Sequence, residues 1–455
     1  MRGPRATLIL IVLIASMVIP TQGAVMKAGV AKVDITPPAG VQMWGYFDRL
    51  AGAQGTLDPL YARVLVLEVG EKRLALVDLD YGRTFGPPAI ERLRASARQS
   101  SGISYVLVQA THTHAGPVIM DEYASSAPAW ESAAIEKIGK AIDDAHARAV
   151  EVRLGIGYGE TYIGYNRRRL NPGGTVTMFW RNQTHVPTAP VDPTVSVLRV
   201  DTSDGNPLAV LVNYACHPVV FGPDNLQFSA DFPGVMTKTV EQAFGPHPPL
   251  CFFLQGAPGD INVYDATTPL KEDAVGKRDW SGRHLGEEAA RVAKTIKTEA
   301  AAEPSLELVE DSLPFHLRWN LERFQQGLVT TFGADFLKTF APRIRADWDL
   351  PVATLLINKH LAVMTMPGEP FVDFQVNWRD RCPVPDALFL GYANGYYGYF
   401  PTLRAATEGG YGAAGATTWI EVGAGERMVD HALVRIYEML GRLTDTPEDL
   451  KGSRQ

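Results

Sequence analysis

His112 and His114 sit in the stretch Thr111-His112-Thr113-His114-Ala115-Gly116-Pro117, directly after the apolar, β-like run Ile103 to Ala110. Alternate side chains of an extended chain share a face, so the spacing predicts two imidazoles pointing the same way. Neutral imidazole is a good zinc ligand, and two of them at a strand's end suit a metal site. Gly116 and Pro117 stop the strand and open a loop, where catalytic groups commonly lie. Two ordinary surface histidines are the competing reading.

The same layout recurs. Asn213-Tyr214-Ala215-Cys216-His217-Pro218 ends another apolar strand with a histidine and a proline. Taken alone, His217 reads as structural; beside His112 it reads as a converging ligand. In Met366-Pro367-Gly368-Glu369-Pro370 a strand-end turn leaves Glu369 at a helix start, either as a simple cap favoured by the macrodipole or as a ligand. The glycine-rich loop Gln255 to Asn262 lacks the GxxxxGK pattern of a phosphate cradle. Tyr396, Tyr397, Tyr399 and Tyr411 stand among glycines, suited to ligand contact or to packing. Asp78 and Asp80 share a face at a strand's end and are read either as orienting metal-bound histidines or as a turn pair.

The elements that must carry these residues alternate along the chain. Strands are expected at Met26–Ile35, at the hairpin Tyr61–Val69 and Lys72–Asp80, and near Val152–Ile156, Val176–Trp180, Val195–Val200, Leu208–Tyr214, Leu250–Leu254, Leu306–Leu317 and Leu388–Tyr392, with a hairpin over Ala353–Met366. Helical periodicity covers Pro88–Ser100, Trp130–Ala149, Asp231–Phe244 with Asp231 as its N-cap, Trp280–Ala301, Phe332–Ala346, Phe371–Arg381 and Gly425–Leu443. No internal repeat, low-complexity segment or linker stands out. Mixed strands and helices with hairpins predict a mixed α/β fold, one large domain of mixed β-sheets covered by helices, with the metal site at strand-end loops.

Composition narrows the setting. Arg2 and Arg5, the apolar run Leu8 to Ile19 and the small-residue site before Ala24 form a secretory signal pattern over residues 1–23. An uncleaved anchor is the alternative, although the run is short for a span. Removing that segment leaves about 430 residues, enough for one large domain or two fused ones. The expected division is a signal peptide at 1–23, a catalytic domain at 24–445 and a polar tail at 446–455. A net charge of −7 argues against nucleic acid or an anionic membrane as the main partner. Three cysteines, Cys216, Cys251 and Cys382, allow one bridge at most and are no disulfide scaffold.

Taken together these motifs resemble the catalytic domain of the neutral/alkaline non-lysosomal ceramidases. The matches are THTHAGP at Thr111, NYACHP at Asn213, QGAPGDIN at Gln255, MPGE at Met366 and the tyrosine block from Asn394 to Tyr411, and the resemblance runs from about Ala28 to Tyr411. It implies a zinc ion held by His112, His217, Glu369 and Tyr399. Tyr399 is the ligand position because Thr402 follows three residues later and Tyr411 twelve. It further implies functional roles for His114, Tyr411 and the pair Asn166-Arg167. Asn262 departs from the pattern: it stands where the family has a catalytic serine, and it has no hydroxyl to act as nucleophile. The family's C-terminal β-sandwich is not expected after the closing helix.

The expected function is that of a secreted or periplasmic zinc-dependent amidohydrolase. Metal-activated water would attack an N-acylsphingosine or a related N-acyl amide. Tyr411 and Arg167 would stabilise the oxyanion, His114 would carry the proton and Asn262 would contact substrate. The expected partner is that small-molecule or lipid substrate, with at most weak association with a membrane surface. A zinc-dependent esterase and a non-catalytic exported binding protein are the rivals. A serine hydrolase of the nucleophile-elbow type is disfavoured, since no GxSxG occurs.

Overall fold

The computed structural model describes residues 24–123, 125–332, 344–443 and 446–447. The signal pattern at 1–23 lies outside the described residues, as do most of the helix expected at Phe332–Ala346 and most of the tail at 446–455.

Three parallel strand pairs organise the molecule: Lys72–Leu79 with Tyr105–Ala110, Pro207–Tyr214 with Leu250–Gln255, and Leu361–Thr365 with Asp386–Leu390. Strands covered on both faces need continuous apolar runs, and these strands are almost wholly buried. Parallel strands also need a crossover, supplied by helices Pro87–Ser101, Asp231–Ala243 and Val372–Arg381. In each case two antiparallel strands precede the pair and a second helix follows it: Ala129–Ala147, Ala274–Thr295 or Ala424–Met439. The chain therefore runs through one β-β-β-α-β-α layout three times, a repetition that no sequence motif announces.

The first two units join through their leading strands, Met26–Asp34 against Val150–Glu160, in antiparallel register Lys27↔Glu151. That junction makes an eight-stranded mixed sheet. The third unit forms a separate four-stranded sheet. Leu65, Leu67 and Leu107 of the larger sheet share a buried cluster with Leu355, Val363 and Leu388 of the smaller one, so the two sheets enclose a common core. Among the described residues no helix is long and apolar enough to cross a membrane.

Several local expectations need correction. Helix Ala274–Thr295 begins and ends about a turn and a half earlier than its periodicity suggested, because Asp273 caps it by accepting from Gly276 N. Asp231 is not the N-cap; it lies inside the helix with φ +54°, and its carboxylate accepts from Phe232 N and, at 3.0 Å, from Val220 N. Helices Leu321–Phe332 and Leu403–Glu408 were not foreseen. Asp78 and Asp80 orient no histidine. Arg63 donates to Asp80 at 2.8 Å, while Asp78 accepts from Phe253 N at 3.3 Å. All three cysteines are free thiols.

Candidate metal centre

The candidate ligands follow the carboxyl ends of the three parallel pairs, where open α/β sheets gather their chemistry. His112 comes two residues after Tyr105–Ala110, His217 three after Pro207–Tyr214, and Glu369 four after Leu361–Thr365. Short ladders lock these loops together. Glu369 pairs in parallel register with Tyr399, and His217 bridges to Asn262. Ile261 in turn pairs with Asn166. The backbone therefore brings six of the sequence-derived site residues into these ladders, counting Arg167 next to Asn166.

The imidazoles of His112 and His114 do converge, with their Nε2 atoms 3.2 Å apart, but not by strand alternation. His112 has left the strand and adopts φ +71°, a left-handed conformation that is uncommon for a residue with a Cβ. Its N–H donates to Tyr81 O at 2.9 Å, and its Nδ1–H donates to Gly82 O at 2.6 Å. His217 is held the same way, with Nδ1–H donating to Pro258 O at 2.6 Å. A ring that donates from Nδ1 carries its lone pair on Nε2. Both Nε2 atoms face Glu369 Oε2, at 3.5 Å from His112 and 3.0 Å from His217.

Three lone-pair donors converging in a buried place repel one another unless a cation lies between them. The set His112, His217 and Glu369 therefore fits a metal ion, and the ligand atoms of His112, His114 and His217, all within 4.8 Å of one another, form an overlapping group that could hold one. The carbonyl anchors separate the two assignments. His112 and His217 have their distal nitrogens fixed, as ligating histidines do. The Nδ1 of His114 has no hydrogen-bond partner among the described residues. Burial, then the neighbouring His112 and His217, push the His114 pKa well below its usual value. Burial and Arg167 depress that of His217 to about 4, so both rings are neutral at pH 7.

A cavity of about 180 Å³ opens beside this centre, lined by His112, His114, Glu369, Tyr396, Tyr399 and Tyr411 and walled by the loop Met43–Phe47 and Trp419. The loop is tied down by Arg49, which donates to Trp44 O at 2.9 Å and His114 O at 2.7 Å. Tyr46 adds a bond to Phe221 O at 2.7 Å. Gly45 sits at φ +108°, and a Cβ there would lie 2.5 Å from the His114 ring, so only glycine lets the loop cover that imidazole.

Arg167 and Asn262 are not among the residues that line the cavity and stand in the layer behind Tyr399. Arg167 donates to the Tyr399 phenol at 3.0 Å, to Asn262 Oδ1 at 3.0 Å and to Gly259 O at 2.7 Å. Asn262 is thus engaged in holding Arg167. Asp260 steadies this layer from behind, accepting from Asn166 Nδ2 at 2.7 Å and from Val372 N at 2.9 Å. Burial raises its pKa to about 6.

Sequence reasoning missed Arg49 and Tyr392, which nothing local marks. Tyr396 was noted only within the glycine-tyrosine block, as suited to ligand contact or to packing, with no tie to Glu369.

Residues 26–262 match the family model described as neutral/alkaline non-lysosomal ceramidase, N-terminal. That span takes in His112, His114, Arg167, His217 and Asn262; Glu369, Tyr399 and Tyr411 lie beyond it. Two solved structures share the fold. One, titled "Ceramidase complexed with C2", has a TM-score of 0.74 at 18% identity, over 93% of this chain and 76% of that one. The other, a neutral ceramidase from Pseudomonas aeruginosa, has a TM-score of 0.72 at 19% identity with the same coverage.

Proposed function

The chain belongs to the neutral/alkaline non-lysosomal ceramidase family, a family of hydrolases, and on that premise we propose that it is a zinc-dependent amidohydrolase of N-acylsphingosine or a closely related N-acyl amide. The observation that carries the metal part is the convergence of His112 and His217, each anchored through Nδ1, on Glu369 Oε2. The donor set of two imidazoles and a carboxylate, with the Tyr399 phenol alongside, suits zinc and leaves room for a non-protein ligand. When bound, zinc supplies Lewis-acid polarisation of a carbonyl and lowers the pKa of water to about 7.

The chain's own residues do the rest. His112, His217, Glu369 and Tyr399 hold the ion. His114, neutral at pH 7 and with a free Nδ1, accepts a proton from water and delivers it to the departing amine. Tyr411 donates a hydrogen bond to the oxygen that gains charge as the amide carbonyl is attacked. Arg167 acts through Tyr399 by donating to its phenol oxygen, which favours the anionic form a ligand needs. Asn262 acts through Arg167, and no hydroxyl nucleophile is required at that position. Residues 24–445 form the catalytic domain on this reading, and the pattern at 1–23 directs export.

Product analysis tests the reaction class. Offered N-acylsphingosine and its O-acyl ester analogue, the enzyme releases free sphingoid base and fatty acid from the amide. Hydrolysis of the ester alone would establish the esterase instead, and hydrolysis of neither would leave the binding protein.

A further inference from the structure

Two phenols hold the Glu369 carboxylate. Tyr396 donates to Oε1, and Tyr392 donates to Oε2 at 3.2 Å. Each phenol is itself fixed. The Tyr396 ring meets Trp44 edge-on at 5.2 Å and Trp419 at 6.4 Å, with the Arg83 guanidinium 5.1 Å from its centroid. Arg83 is fully buried and paired with Asp121. Tyr392 stacks on the His112 imidazole at 4.0 Å and 21°. It occupies in the third unit the place that His112 occupies in the first: two residues past the fourth strand, with positive φ, +50° against +71°.

We propose that Tyr396 and Tyr392 are positioning residues for Glu369: Tyr396 takes Oε1, so that Oε2 alone faces His112 and His217. The inference rests on the metal reading above. A carboxylate turns about a broad, two-fold terminal torsion, so without a partner on Oε1 it can present either oxygen or both. A two-oxygen Glu369 would occupy the open position that distinguishes a catalytic metal site from a structural one. With Oε1 engaged by a caged phenol, the carboxylate has one orientation, and its ordering cost is met when the protein folds rather than when the ion binds.

Zinc affinity is the readout, measured by competition with a chromophoric chelator. Hydrogen-bond partners of ligating groups typically contribute 10–100-fold to affinity, so Tyr396→Phe is expected to raise the zinc Kd by about 10–100-fold. Tyr397→Phe, which removes a neighbouring phenol whose ring packs against Trp348, is the control and is expected to leave the Kd unchanged. An unchanged Kd in Tyr396→Phe overturns the proposal, and so does a loss of equal size in Tyr397→Phe, which a general packing role would give. Near-UV circular dichroism of the metal-free protein checks folding. If Tyr396→Phe does not fold, Tyr392→Phe takes its place: a raised Kd that Tyr397→Phe does not share supports the proposal, and an unchanged Kd or an equal loss in both overturns it. Wild-type protein that binds no zinc overturns the metal reading and this inference together; wild-type binding with an indifferent tyrosine overturns the inference alone.

Discussion

Arg167 donates to the Tyr399 phenol oxygen at 3.0 Å while the rings of Tyr399 and Tyr411 lie 5.5 and 5.2 Å from its guanidinium. The guanidinium is buried, so its bonds to Tyr399, Asn262 and Gly259 fix one orientation. Removing Asn262 deletes one of those bonds. Asn262→Ala is therefore expected to retain measurable hydrolysis, with kcat/KM down about 10-fold, the scale of one hydrogen bond to a charged group. Arg167→Ala is expected to fall further. An Asn262→Ala enzyme as inactive as a His217→Ala enzyme would put the asparagine among the reacting groups.

His112 and His114 differ in what their distal nitrogens do, and that difference assigns their roles. His114→Ala should keep its zinc and lose about 10²–10⁴-fold in turnover, the usual contribution of a positioned acid–base group. His112→Ala should lose zinc as well. Elemental analysis beside steady-state rates reads both, and the reverse pattern would exchange the two residues.

Gly45 gives an independent handle on His114. A methyl group there meets the imidazole at 2.5 Å on a backbone with φ +108°. Gly45→Ala should leave zinc content unchanged yet cost about 100-fold in kcat, since a displacement near 1 Å at a reacting group has that effect. Wild-type turnover in this variant would mean that the loop does not set the position of His114.

Much of this was legible in the sequence and some was not, for physical reasons. Continuous apolar runs such as Tyr105–Ala110 and Pro207–Tyr214 announce strands covered on both faces, and the strand-end placement of His112, His217 and Glu369 could be read from the turn residues after them. The reason offered for the convergence of His112 and His114 did not hold, because alternation assumes an extended chain and His112 turns left-handed. Arg49 was out of reach because its partners include Gly222, 173 residues away. Tyr396 donates to a carboxylate 27 residues off, across a parallel crossover whose closure no local pattern encodes. The threefold layout was hidden for the same reason: it is a repetition of strand pairing, with no shared side-chain motif.

Asp260 provides a pH test. Its pKa is raised by burial from 3.8 to about 6, so the folded state binds a proton more tightly than the unfolded state does. The stabilisation from that proton is complete below 3.8 and is lost as pH rises through 6. Relative to Asp260→Asn, the wild-type protein should gain up to about 3 kcal/mol in unfolding free energy between pH 7 and pH 4. Denaturant unfolding of both proteins across that range checks it, and a constant difference would show that the carboxyl does not titrate there.

Metal reconstitution decides whether this centre hydrolyses an N-acyl amide. Protein stripped with a chelator, dialysed and assayed on N-acylsphingosine should show no hydrolysis, and activity should return in proportion to added zinc, saturating near one ion per chain. Full hydrolysis by the stripped protein, or a reconstituted protein that binds zinc and releases no sphingoid base, would rule out zinc-dependent amide hydrolysis at this centre.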